Sequence, residues 1–322
     1  MLRSVDVSTS KHSLNTDHIS EKRLISFKEL KHIDPDCVCS SEWRRCDIEV
    51  IQRIGSPSMN GEVYQLKYRG KEFVGKILPI IDKKTEESSS SEIKIANFVS
   101  NLVTTGQSVY FPVVYGSAFC REVIYNEKSL FSKPSKLHAL KKHIEKQMSS
   151  NIQKKRFSTS ANTLKKAKAF ASENKINIDN ISPSSYIMFS EIAYSDLSYY
   201  IEQYTLTVKE WNALITHIFL AIKTMQDKNL FHGDLHTGNI LILKNENNDL
   251  LPLIHDFGTS YFVEDWTIGE RKEDLEKFLY QLMKNQNIPD TIMKKLENIN
   301  DYVSSFNDTS SLIDIVIEMW SA

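Results

Sequence analysis

The stretch LFHGDLHTGNILI, residues 230–242, decides the fold of this chain. An apolar run delivers Asp234, and Asn239 follows five residues later, just before a second apolar run. Seventeen residues beyond that Asn, the triplet Asp256-Phe257-Gly258 begins, close behind the apolar run Leu251–Ile254. One carboxylate to orient a hydroxyl, with an amide and a second carboxylate to hold Mg²⁺, is what phosphoryl transfer from ATP requires. Mg²⁺ takes carboxylate and carbonyl oxygens and fills its remaining positions with water. A lone HGD or a lone DFG is a weak signal that three unrelated loop residues would also give. The ordered pair, each behind an apolar element, is a strong one.

Outward from this stretch, the chain reads as strands first and helices afterwards, an α+β plan. Asp47–Ile54, Gly61–Tyr68 and Lys71–Leu78 are expected as three strands of an antiparallel meander with glycine-bearing turns. Asp82–Ser91 reads as a polar loop, and Glu92–Thr104 as a helix capped by Ser91. Phe111–Cys120 reads as a strand with a Gly turn, and Tyr186–Ile192 as another strand. Helical periods run through Leu197–Tyr204, Val208–Lys228 and Arg271–Lys284. In the second of these, Leu214, Ile218, Phe219, Ile222 and Met225 share a face; in the third, Leu275, Phe278, Leu279 and Leu282 do. Pro289–Asn298 and Ser311–Trp320 are two further short helices.

A length of 322 residues suits one two-lobed domain or two small ones, and 41% hydrophobic with 25% charged residues is ordinary for a soluble globular chain. The net charge of -1 argues against an all-over nucleic-acid binder. The charge is uneven, however: residues 126–182 hold 13 Lys/Arg against 4 Asp/Glu. Either this is a solvated loop or it is a docking surface for an acidic partner. Leu137–Met148 and Ala161–Ala171 within it have helical composition. No apolar run reaches the roughly 18 residues of a membrane span, and the N-terminus lacks a signal-peptide core. Four Cys are too sparse for a disulfide scaffold, so a reducing compartment and unpaired thiols are expected. The cluster Cys37, Cys39 and Cys46 keeps a zinc site as the alternative.

HGDLHTGN (232–239) resembles the catalytic loop HRDLKxxN of the protein-kinase-like superfamily, and HDFG (255–258) resembles its metal-binding partner. FVGKIL (73–78) is similar to VAIK, which implies that Lys76 binds the phosphates. IGSPSMNGEVY (54–64) resembles a divergent glycine-rich loop, which implies nucleotide contacts at Ile54, Gly55, Gly61 and Val63. Glu92 is then the candidate ion-pair partner of Lys76, with Glu86 and Glu87 as substitutes. MFSEIAYSDL (188–197) resembles the hinge, with Glu191 and Ala193 facing adenine. Asp274 resembles the buried Asp that anchors the catalytic loop. The resemblance spans roughly residues 47–283 and implies a two-lobed kinase-like fold using ATP and Mg²⁺. It also implies that the side chains at 76, 234, 239 and 256 serve one nucleotide, with Asn239 and Asp256 as metal ligands and Asp234 orienting the acceptor. Each outlying residue has a plainer reading: Lys76 as a solvated strand lysine, Glu92 as a helix N-terminal acid, the glycines as turn residues.

The chain departs from the pattern in three places. Gly233 stands where HRD has Arg, which removes the usual reader of activation-loop phosphate. His236 stands for the Lys that helps neutralise the transferring phosphate; a neutral imidazole donates one hydrogen bond but is a weaker charge partner. His232 is expected to buttress the loop rather than to titrate in catalysis. The span from Asp256 to Asp274 is short and has no APE triplet, which implies a trimmed C-lobe.

These forms resemble haspin-like kinases and the compact serine/threonine kinases of large DNA viruses. They also resemble aminoglycoside and choline-type small-molecule kinases. The leading expectation is a serine/threonine protein kinase; a small-molecule kinase and a non-catalytic binding module are the alternatives. The expected organisation is a mostly flexible extension (1–45) with a helix near Ile19–His32, an N-lobe (46–192) carrying the basic insertion, and a catalytic C-lobe (193–322). The expected partners are a protein with a Ser or Thr acceptor and an acidic protein for the insertion, not a membrane or a nucleic acid. A cytoplasmic monomer is expected, in the host cytoplasm or the virion if the source is viral.

Overall fold

The computed structural model describes residues 16–33, 39, 47–58, 61–80, 83–120, 184–244, 249–308 and 311–322. The basic insertion 126–182, with both helices expected inside it, and positions Cys37 and Cys46 lie outside the described residues. The chain is α+β, with seven helices and antiparallel sheets among the described residues. It divides into two compact units: 30–93 with 114–192, and 1–29 with 94–113 and 193–322. One change of unit falls between Ile192 and Ala193. The segments 1–29 and 94–113, expected as N-terminal extension and N-lobe, group instead with 193–322.

The first unit is built on a five-stranded antiparallel sheet of order β1-β2-β3-β5-β4. Its strands are β1 (Ile48–Ser58), β2 (Gly61–Tyr68), β3 (Lys71–Pro79), β4 (Val114–Cys120) and β5 (Ser185–Ser190). Alternation places Phe73 and Ile77 of β3 in the interior with Leu66, Ile187 and Phe189. Phe73 meets Phe189 edge-on, with ring centroids 5.4 Å apart. Gly75 shares that buried face, and a Cβ there would lie 2.6 Å from Leu66 Cδ1. Gly116, expected in a turn, instead sits within β4 beside a register shift against β5 between Val114 and Gly116. A bulge accommodates glycine without reversing the strand.

Two expectations fail in this half of the chain. Helix α2 runs from Lys83 to Thr104, so most of the expected loop Asp82–Ser91 is helical and Ser91 is internal rather than a cap. Glu86 lies in the first turn, where it complements the helix dipole, and Lys83 pairs with Glu87 at 3.7 Å. Serine is only mildly unfavourable inside a helix, so these contacts and the burial of Ile93, Ile95, Ala96 and Val99 carry the helix through the serine run. Cys39, expected as an unpaired thiol, is disulfide-bonded to Cys120 at a Cα–Cα separation of 5.1 Å, across 81 residues of sequence. That removes the argument for a reducing compartment based on unpaired thiols.

The second unit is mainly helical. It holds most of α1 (Thr16–Leu30), then α3 (Leu197–Gln203), α4 (Val208–Asp227), α5 (Ile268–Met283), α6 (Asp290–Ser305) and α7 (Leu312–Ser321). Helices α4 and α5 each begin with a capping box, Thr207 with Glu210 and Thr267 with Glu270. Trp211, Leu214, Ile218, Phe219 and Ile222 of α4 are buried, as are Leu275, Phe278, Leu279 and Leu282 of α5. Phe219 contacts Phe278 and Trp320 edge-on. Short strands accompany these helices: β6 (Ser195–Asp196) directly precedes α3, and β7 (Leu230–Phe231), β8 (Ile240–Lys244), β9 (Leu250–Ile254) and β10 (Tyr261–Phe262) lie between α4 and α5. They pair antiparallel as β6-β8-β9 and β10-β7.

Helix α1 matches the helix expected near Ile19–His32, a few residues earlier, and it is anchored rather than loose. Arg23 is 5% exposed and donates to the backbone carbonyls of Val109, at 2.6 Å, and Phe111. Among the described residues, no helix is long and apolar enough to cross a membrane.

Candidate functional site

In the sheet unit, β3 presents Lys76 on the face opposite Phe73 and Ile77, between Val63 of β2 and Met188 of β5. Its ammonium meets the carboxylate of Glu92 at 2.5 Å, and both side chains are largely withdrawn from solvent, 14% and 5% exposed. Glu92 therefore reaches Lys76 from well inside α2 rather than from a helix head, and Glu86 and Glu87 are not needed as substitutes. Ile54 pairs with Val63, and Ser58 with Gly61, so the glycine-bearing segment is a hairpin whose backbone stays in strand through Gly55 and Gly61. Glu191 directly follows β5 and is buried.

In the helical unit, Ala193 is followed by Tyr194, whose N–H donates to Ile242 O at 2.9 Å. Asp234 and Asn239 lie on loop 232–239 and Asp256 on loop 255–260, and hydrogen bonds cross-brace the two loops. Asp274 on α5 holds the first loop. Its two carboxylate oxygens accept the N–H groups of His232, at 2.9 Å, and Gly233, at 3.0 Å. Burial pushes the Asp274 carboxyl up to about 6 against these two N–H groups and nearby Lys277, which act to lower it. Lys277, one turn along the same helix, donates to Gly233 O at 2.5 Å and pairs with Glu273 at 2.7 Å. Lys277 is a residue the sequence reading missed; its spacing of three from Asp274 on one helix was the available signal.

His232 joins the two loops. Its Nε2 faces His255 O at 2.9 Å, and a carbonyl only accepts, so Nε2 carries the proton. Nδ1 is then free to accept the Asp234 N–H at 3.3 Å. The ring is fully buried, and burial holds its pKa below the ordinary range. The Thr259 and Ser260 hydroxyls donate to His232 O at 3.0 and 2.9 Å. His255 N–H donates to Asn239 O at 3.1 Å, and Asn239 N–H to His236 O at 2.9 Å.

Three backbone features shape the reactive groups. Gly233 has φ 79°, and a Cβ there would lie 3.0 Å from Thr259 O, so any side chain at this position is strained. Asp256 holds the left-handed region at φ 65°, which costs a non-glycine residue about 1–2 kcal/mol. Asn239 Nδ2 donates to Asp234 O at 2.9 Å, and amide planarity then turns its Oδ1 to the other side.

The segment after Asp256 is fastened along its length. Tyr261 and Phe262 pair with Phe231 and Leu230. Val263 N–H donates to Asn229 O at 2.8 Å, and Trp266 Nε1 to Asn229 Oδ1 at 3.2 Å. Tyr261 donates its hydroxyl to Glu270 at 2.7 Å, which helps push the phenol up to about 12.

Lys76, Glu92 and Glu191 thus belong to one unit, and Ala193, Asp234, Asn239 and Asp256 to the other. Among the described residues, no three His, Cys, Asp or Glu side chains gather as a metal cage. An Asn–Asp pair is a sparser set, of the kind Mg²⁺ uses when phosphates and water complete its shell. No family model and no curated protein matches the chain.

Proposed function

We propose that the chain is an ATP- and Mg²⁺-dependent phosphotransferase with the two-lobed protein-kinase-like fold, acting on Ser or Thr hydroxyls of a protein. The supporting observation is the Asp274 carboxylate on the N–H groups of His232 and Gly233, which braces the loop bearing Asp234 and Asn239 beside Asp256. In this reading Lys76, held by Glu92, takes the α- and β-phosphates. Asp256 and Asn239 would hold Mg²⁺, which supplies charge neutralisation on the phosphates. Asp234 accepts a hydrogen bond from the incoming hydroxyl and aligns its oxygen with the γ-phosphate. The rate would come from positioning and electrostatics, without a covalent intermediate. The choice of a protein acceptor rests on the resemblance, as does a cytoplasmic location.

A small-molecule acceptor of the aminoglycoside or choline class is the second reading. It is favoured by the Gly233 backbone, which suits the glycine of HGD and strains an Arg in its place. The test is transfer from radiolabelled ATP by the full chain, with Mg²⁺ or with EDTA, to casein, histone, the chain itself, aminoglycosides and choline. Mg²⁺-dependent label on protein supports the first reading, and label only on a small molecule supports the second. No transfer and no ATPase activity would leave a binding module.

A further inference from the structure

His236 is a polar side chain of the loop 232–239 that the proposed chemistry leaves without a role, and its surroundings are specific. Its Nδ1 faces the Gly238 N–H at 3.0 Å and caps the single 3-10 turn Thr237–Asn239. An N–H only donates, so Nδ1 is the acceptor and the neutral ring carries its proton on Nε2. Nε2 stands 3.9 Å from Asp234 Oδ2. Gly238 makes the arrangement possible: a Cβ there would lie 2.9 Å from His236 Cε1 and 3.1 Å from Nδ1. Any side chain at 238 would drive the ring off the turn. The loop therefore spends a glycine and a backbone N–H on aiming one N–H at one carboxylate.

We infer that His236 is a positioning residue for Asp234: its Nε2–H fixes the rotamer of the Asp234 carboxylate when an acceptor docks. The inference deepens the phosphotransfer reading and rests on it. Asp234 is 53% exposed and His236 39% exposed, so packing alone does not lock either side chain. A distance of 3.9 Å is too long for a hydrogen bond as it stands. Catalytic hydrogen bonds are often long in the empty protein and tighten with substrate, and a small rotation of two half-exposed groups closes this one. The Nε2–H would occupy the carboxylate oxygen that faces it and leave the other for the acceptor hydroxyl. The position that in the related motif carries a Lys then serves the carboxylate rather than the phosphate.

Two substitutions separate this role from simple capping. His236→Asn keeps an acceptor oxygen where Nδ1 stood, able to take the Gly238 N–H as an Asx turn, and deletes the Nε2–H. His236→Gln places an amide N–H where Nε2–H stood and loses the cap. The expected result is that the Asn variant keeps its Tm but loses about tenfold to a hundredfold in kcat, with little change in KM for ATP. The Gln variant melts earlier yet turns over faster than the Asn variant. The opposite order, Asn active and Gln impaired, would make His236 a cap only and overturn the inference. A measurement without turnover stands beside these: nitrogen NMR of the histidine-labelled chain should show the Nε2–H tautomer at His236, and an Nδ1–H ring overturns the inference whatever the activity. Wild-type chain that transfers no phosphate but shows the Nε2–H ring would instead sink the phosphotransfer reading, and the positioning role with it, while leaving the fixed ring standing.

Discussion

Asp274 and Gly233 are bound through the backbone of the loop rather than through its side chains: the Asp274 carboxylate accepts the Gly233 N–H at 3.0 Å while its other oxygen takes that of His232. An amide at 274 can accept only one of these, and its NH₂ group would face the second N–H. Asp274→Asn is expected to destabilise the chain by about 2–3 kcal/mol in urea unfolding, the scale of a lost buried hydrogen bond to a charged group. Its residual phosphotransfer should fall as well, because the loop bearing Asp234 loses its brace. A variant as stable as the wild type would refute the bracing role.

Lys76 and Glu92 form a largely buried pair, so removing one charge takes from the other its ion-pair partner. Lys76→Met should cost about 3 kcal/mol of stability and abolish ATP-dependent transfer. Adding Glu92→Leu should restore much of the stability and none of the transfer. Recovery of transfer in the double variant would contradict phosphate binding by Lys76.

Asp234 is half-exposed, so Asp234→Asn should leave the unfolding midpoint nearly unchanged while lowering turnover by roughly 10²–10⁴-fold. Asp256→Asn should act differently, weakening the use of Mg·ATP so that added Mg²⁺ partly compensates. Normal phosphorylation by either variant would remove the assigned roles.

An arginine at position 233 should be strained. At φ 79° with Thr259 O in the way, Gly233→Arg is expected to cost about 1–3 kcal/mol and to confer no dependence on loop phosphorylation. Thermal melts of Gly233→Ala and Gly233→Arg check this, since the strain lies in the backbone and at Cβ and is shared by both.

Acid should destabilise the fold through two histidines. Burial holds His217 and His232 below the ordinary imidazole value near 6.5, so the unfolded chain binds protons first as pH falls. Their contribution is present above about pH 6.5 and is lost as pH drops toward the folded values. Asp274, raised to about 6, works in the opposite sense: its contribution is present below its unfolded value and lost as pH rises through about 6. His217 Nδ1 lies 3.1 Å from the Tyr110 hydroxyl. His217→Asn keeps an acceptor for that hydroxyl without titrating, and should flatten the acid limb of a stability–pH curve. An unchanged limb would exclude His217 as a source.

Much of the helical half was legible because its signals agree. Helices α4 and α5 show a strong 3.6-residue period; the bounds of α4 nearly coincide with those expected, while α5 starts three residues early, at the Thr267-x-x-Glu270 cap that its apolar period does not reach. The loop Asp82–Ser91 was misread because four serines lower helix propensity without forbidding it, and tertiary burial of Ile93 to Val99 outweighs that. The Cys39–Cys120 bond and the Arg23 anchor on Val109 and Phe111 join residues some 80 positions apart, and one-dimensional pattern carries no trace of them. The acidic and amide residues of the candidate site stand out in the sequence as residue types at fixed spacing. Their supports, Lys277 on Gly233 O and His236 on Gly238 N–H, do not, because each acts on backbone atoms that every residue shares.

The short stretch from Thr259 to Thr267 has little slack. Its hydroxyls, strand pairs and ring nitrogen are sewn to His232, Phe231 and Asn229, and its end is the cap of α5. A strip held at so many points can shift only by breaking several of these bonds at once, so it behaves as part of the floor beneath the loop 232–239 rather than as a loose tether.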